Sequence, residues 1–208
     1  MPKQVDHEAR RRLIARALWR LTSAGGLDAV SLRQVAAEAG VSMGFVQHYF
    51  RSKDEMLAFA LEAISERVAG RIAGRLAALG GTPAPSDLVH ALLVEMLPLD
   101  EERRLEALVS FAFLARAAVA PRIADRLREE SRQLRDFLAG QIQLAGRLGA
   151  TLQPDEAAQE AASLIALVDG LSAHTLAGFD TPDAALAALE RRLNQIFPAS
   201  GPPGRGPG

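Results

Sequence analysis

Residues 31–50, SLRQVAAEAGVSMGFVQHYF, leave this chain few choices of fold. Ser31 and Ser42 each precede a short run of helical periodicity. A serine hydroxyl in that place accepts a bond from an otherwise orphaned N–H two or three residues on. Between them, Ala39-Gly40-Val41 puts a glycine where one helix has to stop and the chain has to turn with positive φ. Two serine-capped helices around a glycine corner predict a helix-turn-helix, the motif whose second helix enters a DNA major groove. In that second helix Val46 and Phe50 stand one turn apart and are expected to point inward, leaving Phe45, Gln47, His48 and Tyr49 over the rest of its surface. Taken alone, the segment fits a solvated helix with a half-buried aromatic equally well, so its surroundings decide.

Those surroundings are helical. Glu8–Ala24 carries Leu13, Ile14, Ala17, Leu18 and Leu21 on one stripe and Arg12, Arg16 and Arg20 on another, and Gly25-Gly26 ends it. Leu27, Val30, Leu32, Val35 and Ala36 form an inner face for the next helix, with Arg33 and Gln34 outside. Ser52 and Glu55 predict a capping box opening a helix from Lys53 to Leu79, about 40 Å long and able to connect two domains. Its first half should be buried and its second half, with Arg67, Arg71 and Arg75 in a polar stripe, a surface helix. After Gly80–Pro85, helices are expected from a Ser86 cap to Leu97, over Asp100–Val119, from Pro121 to Leu148 before Gly149, over Pro154–Leu176 and over Asp183–Phe197. The tail Pro198–Gly208, PASGPPGRGPG, has almost nothing to bury and is expected to be disordered. The fold class is therefore all-α with about nine helices. Residues 1–52 should form a helix-turn-helix domain, 53–79 a connecting helix, and 80–197 a helical bundle.

Charge and composition narrow the function. Residues 1–55 carry nine Lys/Arg against six Asp/Glu, whereas the remainder carries fifteen against nineteen, so phosphate is expected to meet the first part only. With no cysteine, disulfides and thiolate metal sites are excluded. The N-terminal MPKQVDHEARRR has no apolar core and no apolar run is long enough to span a bilayer, so a soluble, cytoplasmic chain without membrane attachment is expected. His7, His48, His90 and His174 are scattered, and nucleophile elbows, phosphate-binding glycine loops and dinucleotide fingerprints are missing. No enzyme activity, metal or cofactor is expected.

Trp19-Arg20-Leu21, Gly26, Ser31–Ala36, Ala39–Ser42, Gly44, His48-Tyr49-Phe50 and Lys53–Leu57 together resemble the tetracycline-repressor (TetR) family of bacterial one-component transcription regulators. The fit runs from residue 8 to 57 without a gap. His48-Tyr49-Phe50 and Leu167-Val168-Asp169-Gly170-Leu171 are most similar to the subgroup of the choline-responsive repressor of betaine synthesis. The resemblance implies a homodimer on a roughly palindromic double-stranded DNA operator, with effector pocket and dimer interface in the C-terminal helices. It implies phosphate contacts by Ser31, Ser42, Tyr49 and Lys53, base or backbone contacts by Met43, Phe45, Gln47 and His48, and a close approach at Gly44; Arg33 lies on the same outer face. Many relatives carry tyrosine where Gln47 stands, so an amide able to read adenine replaces a phosphate contact here.

Met96, Phe111, Phe113, Leu114, Phe137 and Val168 are candidates for an apolar effector cavity with Ser172 or His174 as its polar anchor, although each fits plain core as well. Few aromatics are present, so an apolar or amphipathic small-molecule effector is expected. The last two helices are apolar on more than one stripe, which predicts a two-fold four-helix interface through Ala161, Leu164, Ile165, Val168, Leu171, Leu186, Leu189 and Leu193. A ligand-responsive repressor is the reading adopted. An effector-independent regulator, an activator and a helical protein–protein module are the alternatives.

Overall fold

The computed structural model describes residues 3–26, 30–146 and 153–198, with side chains described from Leu13 onward except those of Asp54 and Arg122. Nine helices and no strand occur among them: α1 (Lys3–Gly25), α2 (Leu32–Glu38), α3 (Met43–Tyr49), α4 (Lys53–Leu79), α5 (Pro85–Glu95), α6 (Glu101–Ala117), α7 (Pro121–Gly146), α8 (Pro154–Ala177) and α9 (Pro182–Ile196). The all-α expectation holds. The expected contribution of Leu27, the end of α7 near Leu148 and the tail from residue 199 lie outside the described residues.

Local chemistry explains most helix ends. Ser31 Oγ accepts from the Gln34 N–H at 3.2 Å and Ser42 Oγ from the Phe45 N–H at 3.1 Å, so both predicted caps form. Between them Gly40 has φ +65°, and the Val41 and Gly40 N–H groups return to the Ala36 and Ala37 carbonyls, closing α2 with a left-handed glycine. Ser52 Oγ accepts from the Glu55 N–H at 3.1 Å, while the Glu55 carboxylate reaches back to the Arg51 N–H at 2.8 Å. Asp100 and Thr181 cap α6 and α9. The expected Ser86 cap is corrected: Ala84 is the N-cap of α5, Pro85 follows it, and the Asp87 carboxylate accepts from the Ala84 N–H at 3.0 Å. Proline at the first position presets the helical φ and surrenders an N–H that would have no partner there, which moves the helix start ahead of the serine.

The chain divides into two compact units, Met1–Arg75 with Pro98–Ser131, and Leu76–Leu97 with Arg132–Gly208. In the first unit, Ile14, Ala17 and Leu18 of α1 are fully buried with Val35 of α2, Val46 of α3, Met56 and Ala60 of α4, and Val109 of α6. Leu13, expected on that stripe, is 41% exposed. Trp19 anchors the cluster by donating its Nε1–H to the Ala60 carbonyl at 3.2 Å. In α4, Met56, Leu57, Ala60, Leu61, Ala63 and Ile64 are buried while Glu62 is exposed, and every residue beyond Ile64 is half-buried or exposed, as its composition predicts. The later arginines are more than a surface stripe: Arg71 forms a two-pronged bridge to Glu106 (3.1 and 2.6 Å), and Arg67 reaches Glu106 at 3.1 Å and also Glu102. The Glu106 side chain is 6% exposed, so these bonds replace its lost hydration.

In the second unit, Val89, Leu93 and Leu97, together with Leu138 and Ile142 of α7, are buried, as are the inner stripes of α8 and α9; α9 packs against both α5 and α8. The α8 stripe is Ala157, Ala161, Leu164 and Val168; the α9 stripe is Ala185, Leu189 and Leu193. This corrects part of the interface expectation. Ala161, Leu164, Val168, Leu189 and Leu193 are 0–5% exposed within one chain, so no surface of theirs is left for a partner. Ile165, Leu171 and Leu186 remain partly exposed, together with the small residues Ala158, Ala166 and Ala187.

Candidate nucleic-acid interface

The second serine cap starts α3, and the packing of its underside orients it. Val46 is 0% and Phe50 1% exposed, and the Phe50 ring lies 5.4 Å from that of Phe59 on α4. Burying two such side chains contributes on the order of 2 kcal/mol each, enough to hold a two-turn helix that would not persist alone. The inner pair is therefore placed as expected. The outer face is sharper than expected: Met43, Gly44, Gln47 and His48 are exposed, whereas Phe45 and Tyr49 are half-buried against the core. Their rings lie 5.0 Å apart, and the His48 and Tyr49 rings stand perpendicular with centres 5.3 Å apart. The two turns of α3 thus present a thioether, an amide and an imidazole, with a row of aromatic rings beside them.

The flanking candidates surround that face. Ser31 and Arg33 are exposed at the start of α2, and the Ser31 hydroxyl donates to Gln34 Oε1 at 2.7 Å while accepting from the same residue's N–H. Gln34 was not anticipated as a site residue, yet it controls where that hydroxyl points. Ser42 is exposed at the N-terminus of α3, and Lys53 is half-buried as the first residue of α4. Helix N-termini carry unsatisfied N–H groups and partial positive charge, so Ser31, Ser42 and Lys53 sit where three helices would each favour an anion.

The cavity candidates do not come together in the same way. Ser172 is buried and donates to the Met96 carbonyl at 3.0 Å, and Val168 lies one turn before it in the core. Phe113 belongs instead to the core of the first unit, beside Val109, with Phe111 half-buried nearby in sequence. Leu114 is 53% and Phe137 40% exposed. His174 is corrected as an anchor: its ring is exposed and pairs through Nδ1 with Asp180 at 3.1 Å, edge-on to Phe179. The left-handed Gly178 turn bends Asp180 back towards it, a local constraint that outcompetes an inward pose. The Trp19–Arg67–Glu106 assembly went unanticipated. Its signal was in the sequence as two ladders of opposite charge at four-residue spacing, Arg67/Arg71 and Glu102/Glu106.

Among the described residues no helix is long and apolar enough to cross a membrane. Residues 14–60 match the tetR family of bacterial regulatory proteins, and residues 85–198 match the C-terminal region of BetI-type transcriptional repressors. The chain is 37% identical over 179 residues to the HTH-type transcriptional regulator PksA of Bacillus subtilis, covering 85% of this chain and 83% of that one. A transcriptional regulator from Rhodococcus sp. Rha1 superposes with a TM-score of 0.75 at 34% identity, over 89% of this chain and 95% of its own. One from Saccharomonospora viridis, crystallised in complex with choline, superposes at 0.69 with 25% identity, over 91% and 95%. A serine-capped helix-turn-helix on a buried aromatic base, continued by a BetI-type helical region, makes this chain a member of the TetR family of transcriptional regulators with an N-terminal DNA-binding domain and no place among enzymes.

Proposed function

We propose that this regulator is a homodimeric repressor that binds a roughly palindromic operator and leaves it when a small amphipathic effector binds the C-terminal helices. The observation that carries the DNA half is the exposed row Met43, Gly44, Gln47 and His48 on a helix fixed from beneath by Val46 and Phe50. In this reading Ser31, Arg33, Ser42, Tyr49 and Lys53 contact phosphates and set register, while Gln47 and His48 read base edges. Two such helices, one from each subunit, would occupy successive major grooves about 34–36 Å apart. The BetI-type match over residues 85–198 and the choline held by the Saccharomonospora regulator support an effector of amphipathic character. Such a ligand acts only through its different affinities for the DNA-competent and DNA-released arrangements.

The test is fluorescence anisotropy with double-stranded fragments from the DNA flanking the regulator's own gene, followed over a salt series. One fragment containing an inverted repeat should bind at least about a hundredfold more tightly than scrambled DNA, with affinity falling steeply as salt rises. Equal affinity for both DNAs would overturn the reading. Effector action is then measured as loss of anisotropy on adding candidate amphiphiles to the complex.

A further inference from the structure

The hydroxyl of Ser31 has one proton, and that proton is already placed. Ser31 Oγ donates to Gln34 Oε1 at 2.7 Å and accepts from the Gln34 N–H at 3.2 Å. In the usual reciprocal cap the third-position side chain accepts from the backbone N–H of the capping residue. Asp87 at the start of α5 and Glu156 at the start of α8 do so, at 3.0 and 2.8 Å. At α2 the Gln34 amide takes the side-chain hydroxyl instead.

That difference decides what α2 can offer to DNA. Phosphate oxygens only accept hydrogen bonds, so a hydroxyl whose proton is committed has no donor left for them. Gln34 has two. Its Oε1 is held by Ser31, while the two protons on Nε2 meet no acceptor among the described residues. The side chain is exposed, and holding its oxygen limits where its nitrogen can point. Its neighbours on the outer face of α2 do not draw it away: Glu38 is paired with Arg20 of α1 at 2.8 Å, and Ala37 has no polar side chain. A phosphate within reach of Ser31 Oγ would lie beside this amide, because the two side chains are hydrogen-bonded.

We infer that Gln34 is a DNA-contacting residue, whose carboxamide N–H groups donate to an operator phosphate, and that Ser31 is the positioning residue that holds them there. This rests on the DNA reading proposed above and transfers one of its phosphate contacts from the hydroxyl to the amide. What recruits the phosphate is a pair of side-chain donors, not the end of a seven-residue helix. The contact is uncharged, which gives it a signature. Losing a lysine contact changes the salt dependence of binding because fewer counterions are released, whereas losing an amide donor lowers affinity at an unchanged slope.

The full-length protein is titrated by fluorescence anisotropy against operator and scrambled duplexes over a salt series, with far-UV circular dichroism confirming that each variant is folded at the temperature used. Gln34→Met, which keeps side-chain length and helix propensity, should weaken binding to both duplexes roughly tenfold, with the preference between them and the salt slope unchanged. Ser31→Ala should weaken binding roughly threefold in the wild-type background and not at all in the Gln34→Met background, because Ser31 acts through Gln34. Gln34→Lys should tighten both duplexes and steepen the slope by about one phosphate contact per subunit. Gln34→Met binding as tightly as wild type, or more tightly because the freed Ser31 hydroxyl now reaches the phosphate, would overturn the inference. So would an equal loss from Ser31→Ala in both backgrounds, or an unchanged slope in Gln34→Lys. If wild type does not distinguish operator from scrambled DNA, the repressor proposal falls while the Gln34 variants are still compared on either duplex. If the operator is preferred and the variants match wild type, only this inference falls.

Discussion

Gln47 and Lys53 differ in what their surroundings allow them to recognise. The Gln47 amide is exposed on α3 with a donor and an acceptor side by side, a pattern that matches adenine N6/N7 and is worth about 1–3 kcal/mol of base discrimination. The Lys53 ammonium is a point charge at the first turn of α4, suited to any phosphate. Gln47→Ala should therefore flatten the preference at one operator position, measured against single-base operator variants. Lys53→Ala should weaken every DNA alike and reduce the salt slope by about one phosphate contact. A sequence-independent loss from both would show that Gln47 contacts only the backbone. Asp169 on α8 carries a different consequence, because burial raises its carboxyl above the usual carboxylate range. The folded state then holds that proton more tightly than the unfolded chain. Stability associated with this group is accordingly greatest at acid pH and falls as pH rises from the unfolded value through the raised folded one. Asp169→Asn should raise the melting temperature at pH 7 and remove that part of the pH dependence, followed by thermal denaturation between pH 4 and 7.

At the scale of elements, short helices depend on their ends and long ones on what they bridge. α2 and α3 have seven residues each, too few to persist in isolation, so their caps matter disproportionately. Ser42→Ala should cost about 1 kcal/mol in urea unfolding. Gly40→Ala should cost a similar amount for a different reason, since a Cβ there meets no atom within 4 Å and the penalty is purely the left-handed φ of +65°. α4 and α6 are tied by Glu106, whose carboxylate serves Arg67 and Arg71. Glu106→Ala should destabilise by about 2 kcal/mol, because it takes a shared acceptor from two partly buried guanidinium groups, although Arg67 keeps its pair with Glu102. The pair Glu106→Ala with Arg71→Met should recover part of that loss.

At the scale of the whole molecule, the distinction between core and interface on α8 is testable. Leu164 is fully buried and Leu171 only partly. Leu164→Ala should lower stability by about 2–5 kcal/mol through cavity formation. Leu171→Asp should leave the circular dichroism spectrum unchanged while converting the proposed dimer to a monomer in sedimentation velocity. A monomeric wild-type chain at micromolar concentration would overturn the dimer proposal outright.

What the amino-acid sequence determined by itself was everything set within one or two helical turns. The serine caps at 31, 42 and 52, the left-handed glycine at 40, the inward pair Val46 and Phe50 and the exposed Gln47 all follow from neighbouring residues. That range covers most of the recognition element. Only the tertiary structure decided which of several apolar stripes on α8 and α9 became core, because a helix that is apolar around much of its circumference carries no internal signal for the face its neighbour will cover. It also decided that Phe45 and Tyr49 lean against the core, that His174 turns to Asp180 and not inward, and that Arg67 lies on Trp19 between Glu102 and Glu106. Most of those contacts join residues far apart in the chain, and periodicity records only which way a side chain points, never what it will meet.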